Sequence, residues 1–170
     1  ATNIIQQDII DTFKMKDPII FRGSNYRSNL HLHVHRRPKK AMFLIRLKNL
    51  LKSLKGSGII YCLSRKSTEE YSLRLCEMGF SCKPYHGRMS DNMRNEVQEE
   101  WIKGEVKIIV ATIAFGLGIS KNDTRFIIHI NLPINILGYI QEIGRAGRDG
   151  KQAECHLFYD YQDKIHFLYH

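Results

Sequence analysis

Gly58-Ile59-Ile60-Tyr61-Cys62-Leu63-Ser64-Arg65-Lys66-Ser67-Thr68 runs from an apolar stretch into a loop of hydroxyls and cations. Residues 59–63 read as a buried-type strand, and 67–78 as a helix ended by Gly79. The pattern then repeats. Residues 81–85 suit a strand, and 90–103 a helix capped by Ser90 and closed by Gly104. Strands are expected at 107–112 and 125–130, a helix at 135–143, a strand at 153–159 and a last helix at 161–169. Strands alternating with helices specify an α/β domain, a mostly parallel sheet with helices on both faces. Ligands of such sheets collect at the carboxyl ends of the strands.

Upstream of this block, Ile4, Ile5, Ile9, Ile10 and Phe13 fall at helical spacing, predicting a helix over 1–14 with Thr2 or Asn3 as cap. Residues 19–21 are a short strand candidate after Pro18. Residues 22–29 are polar and read as a linker, so a boundary is expected between 1–29 and a domain over 30–170. Leu30-His31-Leu32-His33-Val34-His35 alternates strictly, as a strand with aliphatic side chains on one face and histidines on the other. Alternate histidines can bind a metal. With no acidic or cysteine partner alongside in sequence, a solvated or ligand-facing strand is preferred and no metal is expected. Residues 41–54 form an amphipathic helix ended by Gly56 and Gly58.

The 170 residues carry 43% hydrophobic and 25% charged side chains, ordinary for a globular domain with a real core. The longest apolar runs are far too short to span a bilayer. No secretory leader opens the chain, so an intracellular location is expected, and the start at Ala1 suggests a fragment or processed product. Cys62, Cys76, Cys82 and Cys155 are scattered, which favours buried thiols over disulfides or a four-cysteine zinc site. Twenty-six basic against 17 acidic residues leave a formal charge of +9. Spread over residues 36–40, Lys48, Lys52, Lys55, Arg65 and Lys66, that surplus suits a surface tracking a phosphate backbone.

Four stretches carry chemistry. Ser64-Arg65-Lys66-Ser67-Thr68 places hydroxyls and cations before a helix, where free N–H groups favour phosphate, although Ser67 as a plain helix cap explains it equally well. Tyr85-His86-Gly87-Arg88-Met89-Ser90 repeats that arrangement at a second strand end. A third loop, 111–120, offers the Thr112 hydroxyl and permits close backbone approach at Gly116 and Gly118. None of these is a Walker loop, because the Gly-x-x-x-x-Gly-Lys-Ser/Thr spacing is missing. The fourth stretch is Gln141-Glu142-Ile143-Gly144-Arg145-Ala146-Gly147-Arg148-Asp149-Gly150. Two permanently charged forks, Arg145 and Arg148, can grip phosphate bidentately from one helical turn. Phosphate-like rims and paired arginines without a nucleotide cradle describe half of a nucleotide machine. An arginine finger usually completes a site built by another domain.

These residues resemble the second motor domain of RecQ-family DNA helicases, superfamily 2 enzymes. The match is dense over 59–159: Ile59-Ile60-Tyr61-Cys62-Leu63-Ser64-Arg65-Lys66, Tyr85-His86, the block 109–129, Tyr139-Ile140-Gln141-Glu142 and the arginine turn. Arg27-Ser28-Asn29-Leu30 is similar to the family's Arg-Pro-Asn-Leu opening strand. Ala1-Thr2 looks like the tail of the Ser-Ala-Thr-Ala-Thr motif that closes the first motor domain. The resemblance implies a RecA-like fold, with residues 1–29 as the tail of the first motor domain plus a short strand and linker. It implies 3′-5′ movement on DNA with ATP and Mg²⁺, both held mainly by the first motor domain, and roles in repair and recombination. The expected partners are single-stranded DNA, duplex junctions and that first motor domain. The expected location is the nucleus, or the nucleoid and cytoplasm of a prokaryote.

Carried over residue by residue, Arg148 would be the finger at the γ-phosphate and Arg145 its partner. Gln141 would couple nucleotide to the cleft. Ser64, Arg65, His86 and Thr112 would line the single-strand track, with Arg88 adding charge to it. Residues 116–123, including Gly116, Gly118 and Asp123, would link track and cleft. Two departures stand out. His86-Gly87-Arg88 replaces the usual His-Ala-Gly, and Ser28 the usual proline. On this reading the chain is inactive as an ATPase by itself. Two alternatives stay open: a non-catalytic nucleic-acid-binding module on the same scaffold, separated by whether a Walker loop precedes Ala1, and an RNA helicase domain. The latter is disfavoured because DEAD-box RNA helicases typically carry His-Arg-Ile-Gly-Arg where this chain has the Gln141-Glu142 wording.

Overall fold

The computed structural model describes residues 3–21, 26–116 and 119–164. Six strands form one sheet: β1 (Leu30–Arg36), β2 (Ser57–Tyr61), β3 (Cys82–Tyr85), β4 (Ile108–Ala111), β5 (Thr124–His129) and β6 (Ala153–Tyr159), in the spatial order β1-β6-β5-β2-β4-β3. Every neighbouring pair is parallel. Parallel neighbours need crossovers, and helices α2 (Lys40–Ser53), α3 (Arg65–Glu77), α4 (Asp91–Lys103) and α5 (Ile136–Ile143) supply four of them. The remaining connection, from β4 to β5, has no helix among its described residues, 112–116 and 119–123.

The period-two reading of the strands sorts the core into two layers. Ile59, Tyr61, Ile109, Ala111 and Ile127 pack with Val97 and Trp101 of α4 and Ile143 of α5. Their sequence neighbours Ile60, Ile108, Val110, Phe126 and Ile128 face the other way, against Phe43, Leu47 and Leu51 of α2 and Leu75 of α3. Helices therefore cover both faces, as the alternation requires. Cys62, Cys82 and Cys155 are buried, whereas Cys76 is exposed with its Sγ 3.0 Å from that of Cys82.

Several expectations shift. Residues 19–21 form no strand, and Ile19, Ile20 and Phe21 are exposed. Helix α1 (Asn3–Thr12) ends two residues early and buries none of its side chains. Thr2 lies outside the described residues. Helix α3 starts at Arg65, because Ser64 is the cap: its Oγ accepts the N–H of Ser67 at 3.1 Å. The last helix is described only as the 3₁₀ turn Tyr161–Lys164, and residues 165–170 lie outside the described part. In β1 the aliphatic side chains Leu32 and Val34 are exposed, while His33 and His35 are half-buried. β1 is an edge strand, and its histidine face lies toward α2, where His35 stacks on Phe158.

Candidate functional site

Two groups of residues sit at different places on the sheet. The first lines the carboxyl ends of β2, β3 and β4. Ser64 and Arg65 are exposed at the start of α3, and Arg88 is exposed in the loop after β3. Thr112 is half-buried just past β4, its N–H held by the Tyr85 carbonyl at 3.2 Å. His86 differs from the rest: it is 6% exposed, and its Nε2 stands 3.0 Å from a Glu69 carboxylate oxygen of α3. It ties the β3 loop to α3 instead of offering an open surface. Glu69 was not legible as its partner, because nothing in the helix pattern marks an exposed carboxylate as reaching a neighbouring strand end. The same edge of the sheet continues into a cavity of about 810 Å³ lined by Arg36, Arg37, Lys39, Lys40 and Ser67. One of these cations is already engaged, since Arg37 pairs with the buried Asp163 at 2.9 Å.

The second group is built around the arginine turn, beside the first residues of β5 and β6. Helix α5 is capped by Asn135, whose side-chain oxygen accepts the Gly138 N–H at 2.7 Å. Its last turn carries Glu142, whose carboxylate meets Nε2 of the buried His129 at 2.7 Å. The chain then tightens into 144–150. The Gly147 N–H reaches the Thr124 carbonyl and the Asp149 N–H that of Asn122. Arg27 Nη2 donates to the Gly147 carbonyl at 2.6 Å, and Asn29 Nδ2 donates to the same carbonyl and to that of Lys151. Arg27-Ser28-Asn29 therefore belongs structurally with the domain that starts at β1, and it clamps the turn from outside. The Arg125 guanidinium lies 2.6 Å from Asp149 and holds that carboxyl below its usual range.

The two arginines have different surroundings. Arg145 is half-buried, and its Nη1 donates to the Gly116 carbonyl. Its Nε is buried without a partner among the described residues. A Cβ on Gly116 would stand 2.9 Å from Arg145 Nη2, so glycine lets loop and guanidinium come together. Beside them the Tyr61 hydroxyl donates to the Phe115 carbonyl at 3.0 Å, and burial pushes its pKa upward, keeping it a donor. Arg148 is exposed, its Nη1 touching Ser120 Oγ at 3.1 Å and its Nε the Gly144 carbonyl at 3.4 Å.

Gln141, Gly116 and Arg145 line one cavity of about 320 Å³. Asp123 lies farther along, 67% exposed in its side chain and paired with Lys121 at 3.2 Å. Gly118 lies outside the described residues. The structure thus brings Gln141, Gly116 and Arg145 together, with Arg148 on the same turn. It leaves Ser64, Arg65, Arg88 and Thr112 at the strand ends, and the loop after Thr112 brings Gly116 to Arg145. Sequence reasoning missed the clamp of Arg27 and Asn29, whose contacts span more than a hundred residues, and the pairs His129–Glu142 and Arg125–Asp149.

Comparison with known proteins agrees with this architecture. The family described as helicase conserved C-terminal domain matches residues 39–150. The chain is 43% identical over 169 residues to the ATP-dependent DNA helicase hus2/rqh1 of Schizosaccharomyces pombe, covering 98% of this chain and 13% of that protein. It is 45% identical over 167 residues to the RecQ-like DNA helicase blm-1 of Caenorhabditis elegans, covering 97% of this chain and 17% of that protein. It therefore spans less than a fifth of the length of these relatives. The fold is shared with a DEAD box protein from Methanococcus jannaschii, at a TM-score of 0.75 and 23% identity over 99% of this chain and 46% of that one. With a wholly parallel RecA-like sheet, an arginine turn after its last crossover helix and these similarities, the chain belongs to the helicase conserved C-terminal domain family, as a domain of the RecQ type.

Proposed function

We propose that this chain is the second motor domain of an ATP-dependent 3′-5′ DNA helicase, contributing an arginine finger to an ATP site shared with a first motor domain. The carrying observation is the contrast between the arginines: Arg145 is half-buried and tied to the Gly116 loop, while Arg148 is exposed and held only by Ser120 Oγ and, at 3.4 Å, the Gly144 carbonyl among the described residues. An exposed fork can reach a phosphate on a second domain. A tied one orients the turn and senses the loop.

The residues present fit one half of a nucleotide site. Asp149 is engaged by Arg125 and Asp123 by Lys121, so this surface brings positive charge to the phosphates. ATP, when bound with Mg²⁺ on the first motor domain, supplies the bond that is hydrolysed. Arg148 then lies against the charge growing on the transferred phosphoryl group, an interaction worth about 10³ to 10⁵ in rate. Arg145 holds Gly116, and through residues 112–123 the state of the turn reaches Thr112 at the strand ends. There Ser64, Arg65, Arg88 and Thr112 hold the backbone of a single strand, with His86 positioning the β3 loop. Such a protein works where its DNA is, in the nucleus of a eukaryote. The chain by itself has no ATPase activity.

The test is kinetic. In the full-length protein, Arg148→Ala should abolish ATP hydrolysis while leaving ATP and DNA affinity within a few-fold of the parent. Equal loss of binding and hydrolysis would make Arg148 a binding or structural residue. Robust DNA-stimulated turnover by the isolated chain would overturn the need for a second domain.

A further inference from the structure

Edge strand β1 and its neighbour β6 carry a cluster that helicase chemistry does not use. In their parallel register His33 lies opposite His156 and His31 opposite Glu154, so these side chains emerge on one face of the sheet. His33 Nε2 is 2.6 Å from Glu154 Oε2, and the His33 and His156 rings stack with centroids 4.6 Å apart. One donor atom each from His33, Glu154 and His156 lies within 4.8 Å of the others.

His156 is 6% exposed, and its Nε2 is buried with no hydrogen-bond partner among the described residues. The neighbouring contacts fix where its proton sits. Arg46 can only donate, and its Nη2 lies 3.1 Å from His35 Nδ1, so that nitrogen accepts. A neutral His35 then carries its proton on Nε2 and donates across 3.2 Å to His156 Nδ1. That leaves the His156 proton on Nε2, the atom with nothing to receive it. A buried N–H with no acceptor is an unfavourable arrangement that a ligand at that nitrogen would relieve.

We propose that His33, Glu154 and His156 form a divalent transition-metal site, with zinc the ion best suited to it. Two imidazoles and one carboxylate are a zinc donor set that leaves a fourth position for water or another ligand. Donors on one tetrahedral zinc stand about 3.3 Å apart. Rotation of His33 and Glu154, whose side chains are 42% and 37% exposed, brings them to that spacing. Metal at His156 Nε2 moves the ring proton to Nδ1, where it donates to His35 Nε2. His35 in turn carries its proton on Nδ1, and the exposed Arg46 turns to solvent. Both rings change tautomer and that pair loses no proton, while the His33 proton that faces Glu154 moves to Nδ1, freeing Nε2 and the carboxylate for the metal. Such an orienting hydrogen bond from the second ring nitrogen is the usual companion of a histidine ligand. The ion would staple edge strand β1, which leads into Arg36 and Arg37, to β6.

Zinc chloride titrated calorimetrically into the protein in chelator-free buffer at neutral pH tests this. We expect one saturable equivalent, an affinity at least tenfold weaker in both His33→Gln and Glu154→Gln, and a zinc-dependent rise in melting temperature that both variants lose. These two positions are partly exposed, so the variants keep the fold, which circular dichroism checks. Cys76→Ser should leave the titration unchanged. No saturable binding, an affinity insensitive to both substitutions, or binding lost in Cys76→Ser would overturn the site, the last by placing the ion on the Cys76 and Cys82 thiols.

Discussion

At the scale of single residues, two identical side chains three positions apart have been given different tasks by what surrounds them. Arg145 is tied to the Gly116 carbonyl, so its removal costs a hydrogen bond from a charged donor as well as any role at the phosphates. We expect Arg145→Ala to lower both ATP hydrolysis and stability, the latter by about 1–3 kcal/mol, whereas Arg148→Ala should leave the melting temperature within error of the parent. Thermal denaturation beside steady-state ATPase assays separates the two. The cysteines obey the same logic. Burial pushes Cys62 and Cys155 up to about 12, so at pH 8 only about one in 10⁴ of each is thiolate, the nucleophilic form. Mass spectrometry after brief iodoacetamide treatment at pH 8 should find label on the exposed Cys76 and none on Cys62 or Cys155. Labelling should reach the buried pair only in denaturant.

At the scale of elements, the arginine turn is held from outside as much as from within. Gly147 has φ of 54°, a left-handed backbone that L side chains avoid, and a Cβ there would stand 2.5 Å from Asn29 Nδ2 and 2.7 Å from the Lys151 carbonyl. Gly147→Ala should therefore destabilise the domain by about 1–3 kcal/mol and displace Arg148 with the turn. Chemical denaturation measures the first effect, and loss of ATPase activity in the full-length protein the second. The clamp was half legible in sequence. Arg27-Ser28-Asn29-Leu30 stood out as an opening strand, yet its contact with Gly147 depends on β1 pairing with β6, 123 residues farther along at its first rung. The histidine strand carries the same lesson. Its alternation was plain, but which face was covered, and that Glu154 and His156 stand beside it, followed only from that pairing.

At the scale of the molecule, strand ends and arginine turn occupy different places on one parallel sheet, and the loop after β4 brings Gly116 to Arg145. A rim carrying Arg65 and Arg88 as exposed cations should bind single-stranded DNA with marked salt dependence. Each phosphate contact contributes about 0.7 to the slope of log K against log salt, so Arg65→Ala and Arg88→Ala together should flatten it by about 1.4. Fluorescence anisotropy across a salt series reads this directly. An unchanged slope would move the strand elsewhere, for instance into the basic cavity lined by Arg36, Lys39 and Lys40.

What the sequence by itself determined is the order of strands and helices, the two-layer core and the identity of the arginine turn. These rest on local periodicity and short motifs, which contiguous residues encode. Tertiary structure alone decided which charges are free and which are committed. His86 faces Glu69, Arg145 holds Gly116, Arg125 occupies Asp149, and His33 meets Glu154. Such pairings depend on which strands become neighbours in a parallel sheet. The parallel pairing of β1 with β6 brings together residues 123 positions apart, a separation over which no spacing rule in the chain can speak.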